Sequence, residues 1–154
     1  MQHRGFTLIE LIAVIVVLGI LSAVAVPKFL SLQSAAIVST MHGISGAVES
    51  ATTLAYSQSV IDGTSHLAAS TITVGSDTID LVYGFPAGTA TGIAKLVNYK
   101  SGDWKSRASS FPGAWVYWHG SIEQDAGAAQ CYVRYRQSTG VNIRPNVNFV
   151  TTGC

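Results

Sequence analysis

Gly5-Phe6-Thr7-Leu8-Ile9-Glu10 places a glycine, an aromatic residue and a single carboxylate directly before a long apolar run. No residue from 11 to 27 carries a charge. As a helix, residues 6–26 would extend about 31 Å at 1.5 Å per residue, which matches the roughly 30 Å of bilayer hydrocarbon. A carboxylate within such a segment is costly in lipid, which indicates that Glu10 has a function and a partner.

The N-terminal segment allows three interpretations. A secretory signal peptide would use His3 and Arg4 as its charged region and would be cut after the small residues 23–25. A plain transmembrane anchor would hold Arg4 on the inner side of the membrane. The third interpretation is a short leader, residues 1–5, followed by a retained helix. Glu10 favours the third, because the first two would do better without a charge there, and the helical pattern continues past residue 26.

Charge and composition narrow the classes of function that the chain could have. The 154 residues contain nine Lys plus Arg and eight Asp plus Glu. If residues 1–5 are removed, Arg4 goes with them, and the nine cationic residues become eight, equal to the eight acidic ones. A chain without net side-chain charge is a poor candidate for a dedicated polyanion binder, so DNA binding is not expected as its main role. Such a chain can pack against copies of itself without large repulsion.

One long helix is predicted over residues 6–57, and its second half is amphipathic. Gly19 and Pro27 interrupt the first half. Because a proline inside a helix removes a hydrogen bond and clashes with the preceding turn, we expect a kink near these two residues. The apolar positions of the second half are Phe29, Leu32, Ala36, Val38, Met41, Ile44, Val48, Leu54 and Tyr56.

The rest of the chain predicts an antiparallel sheet, so the fold class is α+β, with the helix packed on the sheet. Residues 70–74 and 78–83 are rich in Thr, Ile and Val and form a predicted hairpin across Gly75-Ser76-Asp77. A loop over residues 84–92 and a short helix over residues 93–98 follow. A loop is predicted near Asp62–His66, and residues 100–112 are not assigned to any element. The last predicted strands are residues 114–119, 131–136 and 147–151.

Cys131 and Cys154 are the two cysteines of the chain. In a cytosolic protein they would be unrelated thiols, whereas behind an export signal an even count favours a disulfide. The chain-entropy model assigns about 3–4 kcal/mol to closing a loop of this length.

Three arginines and no carboxylate lie between the two cysteines, at Arg134, Arg136 and Arg144. They form a local basic patch that could contact DNA phosphate, an anionic surface glycan or an acidic neighbouring subunit. The plainer interpretation is a solvated strand face.

No pattern in the chain indicates catalysis. Phosphate-binding loops, zinc-protease motifs and nucleophile elbows are absent from the sequence, and His42, His66 and His119 have no Cys or carboxylate at ligand spacing. We therefore expect no catalytic residue, no metal and no cofactor. Trp115, Tyr117, Trp118 and His119 could form a sugar-stacking platform, but aromatic residues on a strand more often belong to the core.

Residues 5–10 and the apolar run behind them resemble the prepilin signature of type IV pilins, of the type IVa class, and of their pseudopilin relatives. Residues 27–35, residues 81–87 and the closing segment from Cys131 to Cys154 are similar to mannose-sensitive haemagglutinin (MSHA) pilins. The resemblance implies an α+β pilin fold, in which a C-terminal disulfide bounds a partner-facing loop.

The resemblance also implies processing and assembly. A prepilin peptidase would cut between Gly5 and Phe6 and methylate Phe6, and Glu10 would pair with the new N-terminus of an adjacent subunit. Residues 6–27 would anchor the precursor in the inner membrane and later form the filament core. Residues 28–154 would form a head in the periplasm, then on the extracellular pilus. Loosened helix near Gly19 and Pro27 is implied by the same likeness.

The function implied is a structural subunit of a pilus of a Gram-negative bacterium. It would self-associate with the help of an inner-membrane assembly platform and serve surface attachment, with a surface glycan as a receptor, or motility. The alternative is a major pseudopilin of a type II secretion system, which shares the leader and Glu10 but usually lacks a C-terminal disulfide and often binds calcium. A rival from another class is a periplasmic binding domain that uses the aromatic residues 115–118 on sugars.

Overall fold

The computed structural model describes residues 6–122 and 130–154. The chain divides into two compact units, one that ends at Ala36 and one that comprises Ile37–Cys154. The elements, in chain order, are α1 (Leu8–Ile61), β1 (Ser70–Val74), β2 (Asp77–Val82), β3 (Phe85–Pro86), α2 (Ile93–Leu96), β4 (Trp104–Ala108), β5 (Ala114–His119), β6 (Tyr132–Arg136) and β7 (Asn146–Val150). The predicted α+β fold, a long helix followed by antiparallel sheet, is confirmed.

The N-terminal part of α1 forms the described portion of the first unit. The helix begins at Leu8, two residues later than predicted, and it keeps Gly19 and Pro27 inside its bounds. The kink expected there stays a prediction. By length and composition, α1 is able to cross a membrane, and none of its most apolar 18-residue window is buried.

The second half of α1 presents one buried stripe within Ile37–Cys154. Ile37, Met41, Ile44 and Val48 recur at helical spacing and are at most 8% exposed. The predicted stripe included three of these positions and also Leu54, which is 72% exposed. That part of the prediction was wrong. Each residue advances a helix by about 100°, so a small error in assigning the buried face places an exposed side chain in the predicted core.

The first sheet has the order β1-β2-β3 and is antiparallel throughout. Val74 pairs with Asp77, so the hairpin turn contains only Gly75 and Ser76, and Asp77 belongs to β2 rather than to the turn. Gly75 has a φ of +62°, a conformation that favours glycine and is typical of two-residue hairpins. The strand β3 lies within residues 84–92, which the sequence predicted as a loop.

The second sheet has the order β4-β5-β6-β7, also antiparallel. The bounds predicted for β5 are correct, β6 begins one residue later than predicted, and β7 is shifted by one residue at both ends. Strand β4 lies within residues 100–112, for which the sequence predicts no element. Its alternating Lys105 and Arg107 face away from the core, so no apolar period marks it as a strand.

The helix-facing side of this sheet supplies the aromatic centre of the core. Tyr117 and Tyr135 are fully buried and pack with Val133 against the buried stripe of α1. The Tyr117 hydroxyl donates to the Ile93 carbonyl at 3.2 Å, and the Tyr135 hydroxyl donates to the Pro86 carbonyl at 2.6 Å. Burial raises the pKa of both phenols far above their ordinary range, so both stay protonated and keep donating.

Candidate functional site

Thr7 and Glu10 form hydrogen bonds with each other at the N-terminal end of α1. Oε2 of Glu10 accepts hydrogen bonds from the Thr7 backbone N–H at 2.8 Å and from the Thr7 hydroxyl at 2.7 Å. In return, the Glu10 backbone N–H donates to the Thr7 hydroxyl oxygen at 3.4 Å. A threonine followed three residues later by a glutamate, with reciprocal bonds, is a capping box, which satisfies two of the donors left free at a helix start.

Thr7 satisfies the helix start, and the Thr-x-x-Glu spacing of the motif is visible in the sequence. The bonds recorded for the Glu10 carboxylate all fall on Oε2. Within residues 6–122 and 130–154, no cationic side chain forms an ion pair with it. Among the described residues, the second oxygen, Oε1, accepts no hydrogen bond.

An unpartnered apolar surface surrounds this carboxylate. Phe6 is 88% exposed, Leu8 75% and Ile9 70%, and the large side chains of the helix remain mostly exposed as far as Val26. A soluble monomer rarely exposes so large a continuous apolar area, which is typical of a membrane or subunit contact. Gly5, the other residue of the predicted cleavage site, lies outside the described residues.

The disulfide predicted from the cysteine count is present. Cys131 and Cys154 are bonded, with their Cα atoms 5.0 Å apart and a separation of 23 in sequence. Cys131 directly precedes β6 and is fully buried in the core, whereas Cys154 is half-buried. The bridge ties the C-terminus to the start of a central strand of the second sheet.

Two of the three arginines of the disulfide-bounded segment lie on the sheet face that points away from α1. Arg134 and Arg136 alternate along β6 with the buried Val133 and Tyr135. Strand pairing adds β4 to the same face, because Arg107 is opposite Val116, which in turn is opposite Arg134. The basic face, as we call it, comprises Lys105, Arg107, Arg134 and Arg136.

Arg144 does not belong to this face. It lines a different concavity of about 370 Å³, which also contains Glu49, Tyr56 and Phe85. The basic patch predicted from three arginines therefore contains two of them, and β4 supplies two further cations. The sequence does not predict these two cations on the face, because β4 has no apolar alternation that marks it as a strand.

The aromatic residues of β5 do not form one platform. Trp115 and Tyr117 point toward α1, where Tyr117 is fully buried and Trp115 packs at the edge of the core. Trp118 points to the opposite side and is 7% exposed, with the Arg107 guanidinium 5.6 Å from its ring centre. The interpretation of these residues as mainly core is supported, and a sugar-stacking surface that contains both tryptophans is not.

Metal ligands do not cluster in the part of the chain that the structure describes. There, no group of three or more His, Cys, Asp or Glu residues could hold an ion.

Comparison with known proteins connects these features to a family. Residues 1–26 match the family model described as the prokaryotic N-terminal methylation motif. The chain is 37% identical over 91 residues to the type IV narrow pilus major component PilA5 of Thermus thermophilus, a match that covers 59% of this chain and 66% of that protein.

A shorter match relates the chain to the type IV major pilin protein PilA of Myxococcus xanthus. The two are 52% identical over 33 residues, which are 21% of this chain and 15% of that protein. The chain thus spans slightly less than two thirds of the first relative and a small part of the second. No solved structure matches the chain significantly. The methylation motif and the likeness to these two major pilins show that the chain is similar to type IV pilins.

Proposed function

We propose that this chain is a structural subunit of an MSHA-like type IV pilus and polymerises through the N-terminal half of α1. The observation that carries the proposal is the apolar helix surface of residues 6–26, which is exposed in the single chain and begins with one carboxylate, Glu10. Such a surface needs lipid before assembly and neighbouring helices after it. The subunit has a structural role and is not an enzyme.

Processing creates the assembly-competent N-terminus. A prepilin peptidase cuts between Gly5 and Phe6 and methylates the new amine, as the match to the methylation motif supports. Gly5 has no side chain to obstruct the peptidase. Phe6 is 88% exposed and precedes the capping box, so its backbone is accessible to an enzyme at the membrane surface.

Assembly then pairs two charges that are each costly in an apolar environment. The ammonium group of Phe6 in one subunit approaches the Glu10 carboxylate of the next, whose hydrogen bonds with Thr7 of its own chain use Oε2. Leaving either charge alone in lipid is expensive, so pairing favours growth of the polymer and sets its register. A kink at Gly19 and Pro27 would let the helix adjust as neighbours pack.

The location of the subunit follows from the same division of the chain. Residues 6–27 hold the precursor in the inner membrane of a Gram-negative bacterium, with residues 28–154 in the periplasm. An assembly platform in that membrane moves subunits into an extracellular filament. The filament serves surface attachment and motility, and the head carries the surface that meets a receptor.

The first test is the chemical identity of the mature chain, isolated from sheared surface filaments and measured by intact mass and N-terminal sequencing. The expected product begins at N-methylated Phe6. A mature chain that begins near residue 26 would overturn the proposal, because the polymerising helix would be gone. Electron microscopy of the same fraction separates long surface filaments from the short structures of a secretion pseudopilus.

A second test addresses Glu10. Glu10→Val should leave the amount of folded precursor in the membrane unchanged but give few filaments, whereas Glu49→Val, which removes a carboxylate from the head, should assemble normally. Normal piliation by the Glu10→Val variant would contradict the assembly role.

A further inference from the structure

The juxtaposition of Arg134, Arg136, Asn146, Asn148 and Phe111 on the outer side of the second sheet points to a ligand site. We propose that the basic face binds the carboxylate of an acidic saccharide, such as a uronic or sialic acid unit. The inference rests on the proposed function where it explains surface attachment, for which it names a ligand class. Binding itself is tested on the isolated chain.

Strand register aligns four strands on the face that carries the site. Arg107 in β4, Val116 in β5, Arg134 in β6 and Asn148 in β7 stand opposite one another in a single row across the sheet. In the described strands β4–β7, every position on this face is neutral or cationic, so no carboxylate competes with a ligand from within these strands.

The Arg134 guanidinium is held in place by aromatic rings. It lies 5.2 Å from the centre of the Phe111 ring and 5.9 Å from that of Tyr132. These two cation–π contacts restrict the long side chain and leave its N–H groups free to donate. Neither Arg134 nor Arg136 forms an ion pair with any residue that the structure describes. A planar guanidinium that is restrained and forms no ion pair is suited to bidentate binding of a carboxylate.

The cavity beside Arg134 has the size and lining of a saccharide site. Its volume is about 410 Å³, within the usual range for small-molecule sites, and it is lined by Phe111, Arg134, Arg136, Asn146 and Asn148. Asparagine amides both donate and accept hydrogen bonds, as sugar hydroxyls require. Phe111 is 55% exposed and offers a ring face for the C–H side of a sugar.

These features favour a saccharide over a nucleic acid. Binding along a nucleic-acid backbone depends on neutralising many phosphates, about 6–10 in a strongly salt-dependent complex. The basic face has four cations, and the aromatic rings hold two of them, Arg107 and Arg134. A single concavity with two guanidinium groups and two amides fits one or two acidic sugar units instead.

The test measures binding of defined saccharides to the purified full-length chain in detergent micelles by isothermal titration calorimetry. The acidic probes are tetragalacturonic acid and 3′-sialyllactose, which carry the same carboxylate chemistry from two sources. Their neutral counterparts are a galactose tetrasaccharide and lactose. We expect at least one acidic probe to bind and both neutral probes to fail, with affinity falling as salt is added.

Variants locate the site. Arg134→Gln and Arg136→Gln should each weaken binding about tenfold or more, and Phe111→Ala about fivefold. Arg134→Lys keeps the charge but loses the planar fork, so its affinity should fall between those of the wild type and Arg134→Gln. Arg144→Gln is the matched control, because it removes the same charge from the same disulfide-bounded segment but lies in a different concavity, and it should bind like the wild type.

Several results would overturn the inference. They are failure of both acidic probes to bind, equal binding of neutral and acidic probes, equal loss in Arg144→Gln, or tighter binding of a short DNA duplex that depends on Arg134. Arg136 is exposed, so its variant should fold even if Arg134→Gln does not. Electron microscopy of the same variants keeps the two proposals apart. A chain that binds sugar but never forms filaments refutes the proposed function, and a chain that forms filaments but binds no acidic sugar refutes this inference.

Discussion

The Tyr135 hydroxyl lies 2.6 Å from the Pro86 carbonyl oxygen, to which it donates a hydrogen bond, and so links the second sheet to the last strand of the first. Both residues are fully buried. The aromatic body of Tyr135 packs in the core under α1, while its polar tip satisfies a carbonyl that water cannot reach. A buried acceptor without a donor costs about 1–3 kcal/mol, so this contact should contribute measurably to the stability of the head.

Tyr135→Phe should therefore lower the free energy of unfolding by about 1–3 kcal/mol, because the ring is kept and only the donor is lost. Urea unfolding of the full chain in detergent measures the change. Tyr132→Phe is the control. No hydrogen bond of its hydroxyl is recorded among the described residues, so it should change stability by less than about 0.5 kcal/mol. Equal effects of the two variants would contradict the role assigned to the Tyr135 hydroxyl.

Alkaline pH should destabilise the head through Tyr117 and Tyr135. Burial raises the pKa of both phenols in the folded chain, so above about pH 10 the unfolded chain releases these protons and the folded chain retains them. Below that pH, these two groups do not change the free energy of unfolding. Above it, the free energy of unfolding falls by about 1.4 kcal/mol per pH unit for each tyrosine. Urea midpoints between pH 8 and pH 11 measure the slope. A Tyr117→Phe, Tyr135→Phe double variant should show a shallower slope, and an unchanged slope would refute the prediction.

Cys154→Ser should lower the free energy of unfolding by about 3–4 kcal/mol, because it opens the loop that the disulfide closes in the unfolded chain. Cys154 is half-buried, so this variant reports mainly on the cross-link. Cys131→Ser should cost more, since Cys131 is fully buried and the new hydroxyl would need a partner there. Thermal unfolding with and without reductant checks both variants. A wild-type melting temperature that is insensitive to reduction would argue against the stabilising role.

Thr7→Val should reduce the yield of filaments although Glu10 is unchanged. The valine keeps the branched shape but removes the hydroxyl that donates to Oε2 of Glu10 and accepts from the Glu10 backbone N–H. The carboxylate then loses part of its support in an apolar environment. Thr7→Ser keeps the hydroxyl and should assemble normally. The ratio of sheared filament to total subunit measures the effect, and equal ratios for the two variants would exclude a role for the hydroxyl.

Local patterns in the chain predicted much of the fold. The bounds of β1 and β5 were predicted correctly, because β-branched and aromatic residues mark these strands. The even cysteine count predicted the disulfide. Strand β4 was missed, because Lys105 and Arg107 lie on its outer face and leave no apolar alternation.

The helix face was only partly predicted for a related reason. Apolar residues occur on several sides of α1, so their spacing alone does not predict which of them are buried against the sheets. In the structure, Ile37, Met41, Ile44 and Val48 are buried and Leu54 is exposed. That choice depends on the sheet residues that pack against the helix, which are distant in sequence.

The amino-acid sequence by itself determined the N-terminal helix and its lone carboxylate, because these depend on composition and on spacings within a few turns of chain, and the even cysteine count behind a predicted export signal favoured the disulfide. Only the tertiary structure decided that Arg107 and Arg134 share one face, that Arg144 does not, and that Tyr135 reaches Pro86. The physical reason is that neighbours across a sheet are set by strand register and by burial, which join residues far apart in the chain.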